Sequence, residues 1–185
     1  MKKTLLILSI TLLGTLLGST VLGQVNVSTN TLSLGMPELS LLSASATQIN
    51  LQLTTAVAGE AVKSSVADST ARLKISSVIT STPRKLSASV SAVPGGTVLK
   101  LQAKTPNANF GGTPGTFVSN ATIPVGSSAD IITGIGSCYS GTTTDDGYVL
   151  RYTWGLLDPS ANYQDVRATG AGVVVTVTLT LTASI

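Results

Sequence analysis

From Val173 to Thr182 the chain reads Val-Val-Val-Thr-Val-Thr-Leu-Thr-Leu-Thr, so that Val173, Val175, Val177, Leu179 and Leu181 recur with a period of two. A helix would scatter these side chains around its circumference and freeze many β-branched rotamers. An extended strand gathers them on one face and leaves Thr, a good β-former without large apolar area, on the other. The segment predicts a strand with one buried face, and the rest of the chain must then supply a sheet for it.

Weaker alternations supply candidates. Ile49, Leu51 and Leu53 alternate with polar residues over 47–53, and Ala71, Leu73 and Ile75 alternate with Arg72 and Lys74. Leu86, Ala88 and Val90 precede Val93-Pro94-Gly95-Gly96, after which Leu99, Leu101 and Ala103 alternate with Lys100 and Gln102. Pro followed by two glycines is a turn signal, so Leu86 to Ala103 predicts a hairpin. Tyr148, Leu150, Tyr152 and Trp154 share one face of a further segment, which predicts a central strand with Trp154 as a core anchor. Helical composition is confined to 56–66, where Gly59 and Ser64-Ser65 weaken it, while 162–166 has room for no more than a turn. Two long polar links, 105–115 and 134–147, separate the strands. Many short strands with turn signals between them, and no strand–helix alternation, predict an all-β fold. The expected architecture is a single antiparallel immunoglobulin-like β-sandwich, with a jelly roll or partly closed barrel as the alternative.

The N-terminus reads differently. Met1-Lys2-Lys3 leads an apolar run from Thr4 to Leu22 diluted by Ser, Thr and Gly, and it ends in Val21-Leu22-Gly23, which suits a signal-peptidase site. The expectation is a signal peptide over 1–23 and one mature domain over 24–185, secreted or at the cell surface; an uncleaved N-terminal anchor is the alternative. Taking 23 residues from 185 leaves 162, enough for one core. No membrane span is expected after signal removal, because Val173–Leu181 is too short for one. Without Lys2 and Lys3, 9 basic residues face 8 acidic ones, so the basic isoelectric point carries little meaning.

Chemistry is sparsely provided for. There is no His and one Cys, so Cys138 can form no disulfide within the chain and no Cys–His pair; a small buried residue is the expected role. Asp145 and Asp146, in Gly141 to Gly147, predict a turn, and a weak Ca²⁺ loop is the sharper alternative. Lys63 beside Ser64 and Ser65 lacks a catalytic context, and Gly134-Ile135-Gly136 lacks the Lys and helix of a phosphate loop. Basic residues are spread singly apart from Arg84-Lys85, which leaves no electrostatic footprint for nucleic acid. The sequons at Asn26 and Asn120 matter only in a eukaryotic secretory route. No catalytic, cofactor-binding or metal residue is expected, and the chain reads as non-enzymatic.

An aromatic strand ending Tyr152-Thr153-Trp154, a turn at Asp158-Pro159 and the closing Val/Thr/Leu alternation resemble secreted bacterial structural subunits of the pilin and spore-coat-like kind. That resemblance implies assembly by strand complementation. A disulfide frequent in such pilins is impossible here, since Cys138 stands alone. The expected function is an exported structural or surface-assembly subunit, filament, pilus-like or coat; the alternative is a binding module for glycan or protein. Self-association would run through the terminal strands. Val25, Val27, Leu32, Leu34 and Met36, alternating before Pro37, would be the donor, and Val173, Val175, Val177, Leu179 and Leu181 the acceptor edge.

Overall fold

The computed structural model describes residues 28–45, 48–54, 57–170 and 172–184. The expected signal peptide over 1–23 and the expected donor residues Val25 and Val27 lie outside them. The chain divides into two compact units at Gly35 and Met36. In the first, residues 28–35 contain no strand, and Leu32 and Leu34 are exposed.

The second unit is an antiparallel β-sandwich, as the alternations predict, and no closed barrel. Its strands are β1 (Leu39–Ala44), β2 (Ser65–Val78), β3 (Arg84–Val90), β4 (Thr97–Lys104), β5 (Gly111–Gly112), β6 (Thr116–Phe117), β7 (Ala121–Thr122), β8 (Ala129–Ile135), β9 (Cys138–Tyr139), β10 (Tyr148–Leu156) and β11 (Val177–Ala183). In the larger sheet β1-β2-β10-β4-β7 lie side by side, and the short β9 and β5 continue beyond β10 along the far end of β2. The smaller sheet runs β11-β3-β8-β6.

The connections follow the jelly-roll side of the expectation. An immunoglobulin domain keeps several sequence neighbours in one sheet. Here the long strands β2, β3, β4, β8, β10 and β11 fall alternately in the larger and the smaller sheet. The hairpin expected over Leu86–Ala103 is thereby corrected. Leu86 pairs with Leu181 and Leu99 with Trp154, so Val93–Gly96 carries the chain from one sheet to the other instead of folding it back on itself.

The core forms where inward residues of the two sheets meet: Leu73 and Ile75 of β2, Leu101 of β4, Leu150 of β10, Leu86 of β3, and Ile131, Ile132 and Ile135 of β8, each at most 1% exposed. β10 is central, between β2 and β4. Its anchor is Tyr148 rather than the expected Trp154. Tyr148 is fully buried, with Phe110 and Phe117 edge-on to its ring at 5.9 and 6.1 Å and its hydroxyl donating to the Pro114 carbonyl at 3.1 Å. Trp154 sits near the strand's end, half-buried, its Nε1 donating to Thr97 Oγ1 at 3.0 Å. Residues 48–54 keep the predicted alternation, with Ile49 and Leu51 packed on the core, yet they form no strand. A single turn of 3₁₀-helix over Tyr163–Asp165 stands where a turn was expected.

Candidate assembly edges

The two terminal strands are both edges. Among the described residues β1 pairs only with β2, and β11 only with β3, in a continuous register from Val177↔Val90 to Ala183↔Arg84. The two edges lie beside each other on one side of the sandwich. On the opposite side β4 and β7 approach β8, which closes the core there.

Three of the expected acceptor residues, Val177, Leu179 and Leu181, occupy β11 and face the core opposite Val90, Ala88 and Leu86. They are only half-buried, because an edge strand covers the core from one flank. Val175 packs on the core just before the strand, where Thr176 and Ser91 exchange hydrogen bonds at 2.9 Å. Val173 lies ahead of the strand and is exposed. Among the expected donor residues, Leu32, Leu34 and Met36 are 78, 85 and 81% exposed and belong to no strand. The N-terminal strand of the sandwich begins instead beyond Pro37, at Leu39.

The loops contain the most strongly perturbed acid. Thr143 to Asp146 is a turn, closed by Asp146 N–H donating to the Thr143 carbonyl at 3.1 Å, as the sequence predicts. Asp146 is 1% exposed. Its Oδ1 accepts from the side-chain amides of Asn107 at 2.7 Å and Asn109 at 2.8 Å, and its Oδ2 from Thr143 N–H at 2.7 Å. These donors, Asn107 first and then Asn109, outweigh burial and hold the carboxyl far below the usual carboxylate range. A cation loop would surround its metal with oxygen acceptors, whereas this carboxylate is ringed by donors. The arrangement buckles the 105–115 link to the 134–147 link. Gly141 permits it: at φ +85° it presses on the Asp146 carboxylate, where no Cβ fits. Sequence reasoning found the turn but not its partners, since Asn107 and Asn109 lie in a different loop.

Cys138 is buried and unpaired, as expected. Burial pushes its thiol up, against a hydrogen bond with Tyr148, which keeps it protonated at neutral pH. Among the described residues no group of three or more His, Cys, Asp or Glu is placed to hold a metal ion. No helix among them is long and apolar enough to cross a membrane.

The positive charges are arranged unlike their order in sequence. Residues spread singly along the chain meet on the outward face of the larger sheet, where Arg72 and Lys74 of β2, Lys100 and Lys104 of β4 and Arg151 of β10 alternate with buried neighbours. Comparison with protein-family models, curated proteins and solved structures finds no match for the chain.

Proposed function

We propose that the chain is an exported, non-enzymatic structural subunit of the pilin- or coat-like kind, which assembles by adding a strand from one copy to the sheet of the next. The supporting observation is the exposure of Leu32, Leu34 and Met36, three large hydrophobics at a period of two that no strand uses. Isolated exposed hydrophobics are ordinary, but an alternating set is a strand face without a sheet. The side of β11 that no described residue pairs with offers main-chain donors and acceptors to such a segment, and its neighbouring core residues are incompletely covered. In the assembled state residues 24–36 of one copy would pair along β11 of the next, with Leu32, Leu34 and Met36 turned toward its core.

Deleting residues 24–36 tests this reading. The expected result is high-mass species from the mature chain on gel filtration and a folded monomer from the deletion variant. Mature chain that stays monomeric at high concentration overturns it.

A further inference from the structure

The two outward faces of the sandwich treat charge in opposite ways. On the smaller sheet's outward face, Lys85 pairs with Asp130 at 3.3 Å and Ser87 donates to the same carboxylate at 2.8 Å, while Arg84, on the side of Leu86 at the strand's end, lies 3.7 Å from Glu38. On the larger sheet, none of Arg72, Lys74, Lys100, Lys104 and Arg151 has a carboxylate within ion-pair distance among the described residues, although Arg72 donates to the carbonyls of Ser69, Thr70 and Ala71 and Lys74 to that of Thr142 at 2.9 Å.

Register turns those five cations into a stripe. Lys100 stands opposite Thr153, Arg151 opposite Gln102, and Val149 lies between Lys104 on β4 and Arg72 on β2. Reading diagonally across the sheet, Lys100, Arg151, Arg72 and Lys74 follow one another over roughly 20 Å, given a rise of about 3.3 Å per residue and about 4.8 Å between strands. Lys104 flanks the line. At one end Lys100 and Arg151 border a shallow hollow of about 200 Å³, shared with Ser64, Ser65, Asn120 and Thr153. At the other end Tyr139, opposite Ser76, is 60% exposed, with its ring flat against Gly111. The hydroxyl and amide beside the charges are those of Thr153 and Gln102, with Thr122 flanking Lys100 on the outer strand β7.

We infer that this stripe docks a linear acidic polysaccharide, a glycan with a carboxylate on each or alternate sugars. A row of cations without carboxylate partners among the described residues matches repeated carboxylates, with Lys100, Lys104 and Arg151 as its main contacts because Arg72 and Lys74 also hold backbone carbonyls, and the neighbouring hydroxyl and amide groups match sugar hydroxyls. A flat, hydroxyl-rich track without a deep cavity suits a polymer more than a small ligand. Single-stranded nucleic acid needs aromatic platforms for successive bases, and Tyr139 is the one outward aromatic on this sheet, Tyr148, Tyr152 and Trp154 being turned inward. A lipid surface needs large apolar or aromatic side chains beside the charges; on this face Leu39 and Leu41 of β1 and Tyr139 lie at the Lys74 end alone, while Lys100, Lys104 and Arg151 have only Val98 and Val149 near them. A second copy has no acidic patch to offer. Asp130 and Glu38 are ion-paired, Asp146 is buried, Asp68 is held by Thr70, Glu60, Asp145 and Asp158 lie in different loops, and Asp165 ends the 3₁₀ turn. The site is independent of the assembly reading, since β11 belongs to the other sheet.

The test is titration of the mature chain with polygalacturonate, alongside neutral dextran, oligothymidylate and phosphatidylserine vesicles. Polygalacturonate is expected to bind and dextran not. A fourfold rise in salt should weaken binding by roughly tenfold or more, as release of counterions from several contacts requires. The triple variant Lys100→Gln, Lys104→Gln, Arg151→Gln should lose at least as much while melting like the parent, and Arg151→Glu alone should lose part of it. No binding of polygalacturonate, unchanged binding by the triple variant, or tighter binding of oligothymidylate or vesicles overturns the inference.

Discussion

β10 and β11 are adjacent in sequence and opposite in character. β11 has the most regular alternation in the chain, yet it is an edge whose inward Val177, Leu179 and Leu181 are half-buried. β10 has a register shift between Leu150 and Tyr152 in its pairing with β2, yet it is the centre of the larger sheet and begins at a fully buried Tyr148. Regular alternation therefore reports that one face is wet and the other dry; it does not report how many strands flank the segment. Thr178, Thr180 and Thr182 keep β11 soluble on its outward face, while the neighbours of β10 on both sides bury it whatever its pattern.

Truncation sharpens that contrast most. Leu101, on β4 beside β10, is fully buried, so Leu101→Ala should cost about 2–5 kcal/mol in chemical denaturation. Leu179→Ala on the edge should cost roughly half as much, because less apolar area leaves water on folding. Equal losses would mean that β11 is covered in solution, by another copy or by residues outside those described.

Acid comes next in size. The carboxyls of Asp146, Asp130, Asp68 and Glu38 are all lowered in the folded protein, by the Asn107 amide, the Ser87 hydroxyl, the Thr70 hydroxyl and the Thr80 N–H respectively as the largest causes. A depressed folded value adds stability that is complete above the unfolded value, about pH 4, and is lost as pH falls toward the folded one. The melting temperature should accordingly drop progressively below about pH 4. Asp146→Asn should melt lower than the parent at pH 7, because its new amide would face donors, and should lose less on acidification. Parallel pH curves would detach Asp146 from this role. The smallest effect is Tyr148→Phe, which leaves the Pro114 carbonyl without its donor and should cost about 1 kcal/mol with the ring packing intact.

Much of the architecture was legible because period two is local. The strands around Leu73, Leu86, Leu101, Leu150 and Leu179 stand where alternation puts them. What was illegible depends on pairing. Nothing in Val93-Pro94-Gly95-Gly96 says whether the next strand joins the same sheet or the facing one, since the turn fits either. Residues 48–54 have the pattern of a strand without a ladder. Tyr148 outranks Trp154 because Phe110 and Phe117 reach it from the long link. The cations were invisible as a group because they come from three strands, and only register sets Lys100 diagonally beside Arg151.

The alternation of strands between the sheets also sets the order in which the molecule can form. Leu73 pairs with Tyr148 and Leu86 with Leu181, partners about seventy-five and ninety-five residues apart. Contacts of such sequence separation place the chain among slow folders, on the scale of milliseconds to seconds, because long loops must close before these ladders offset their entropy. β2 and β4 wait for β10 to come between them, so the larger sheet stays open in its middle until β10 is made, although β1 can already pair with β2, β3 with β8 and β4 with β7. Until then its Val- and Leu-rich strands are exposed to one another and to other chains, and a shielding factor or rapid dilution during synthesis becomes part of obtaining the native form.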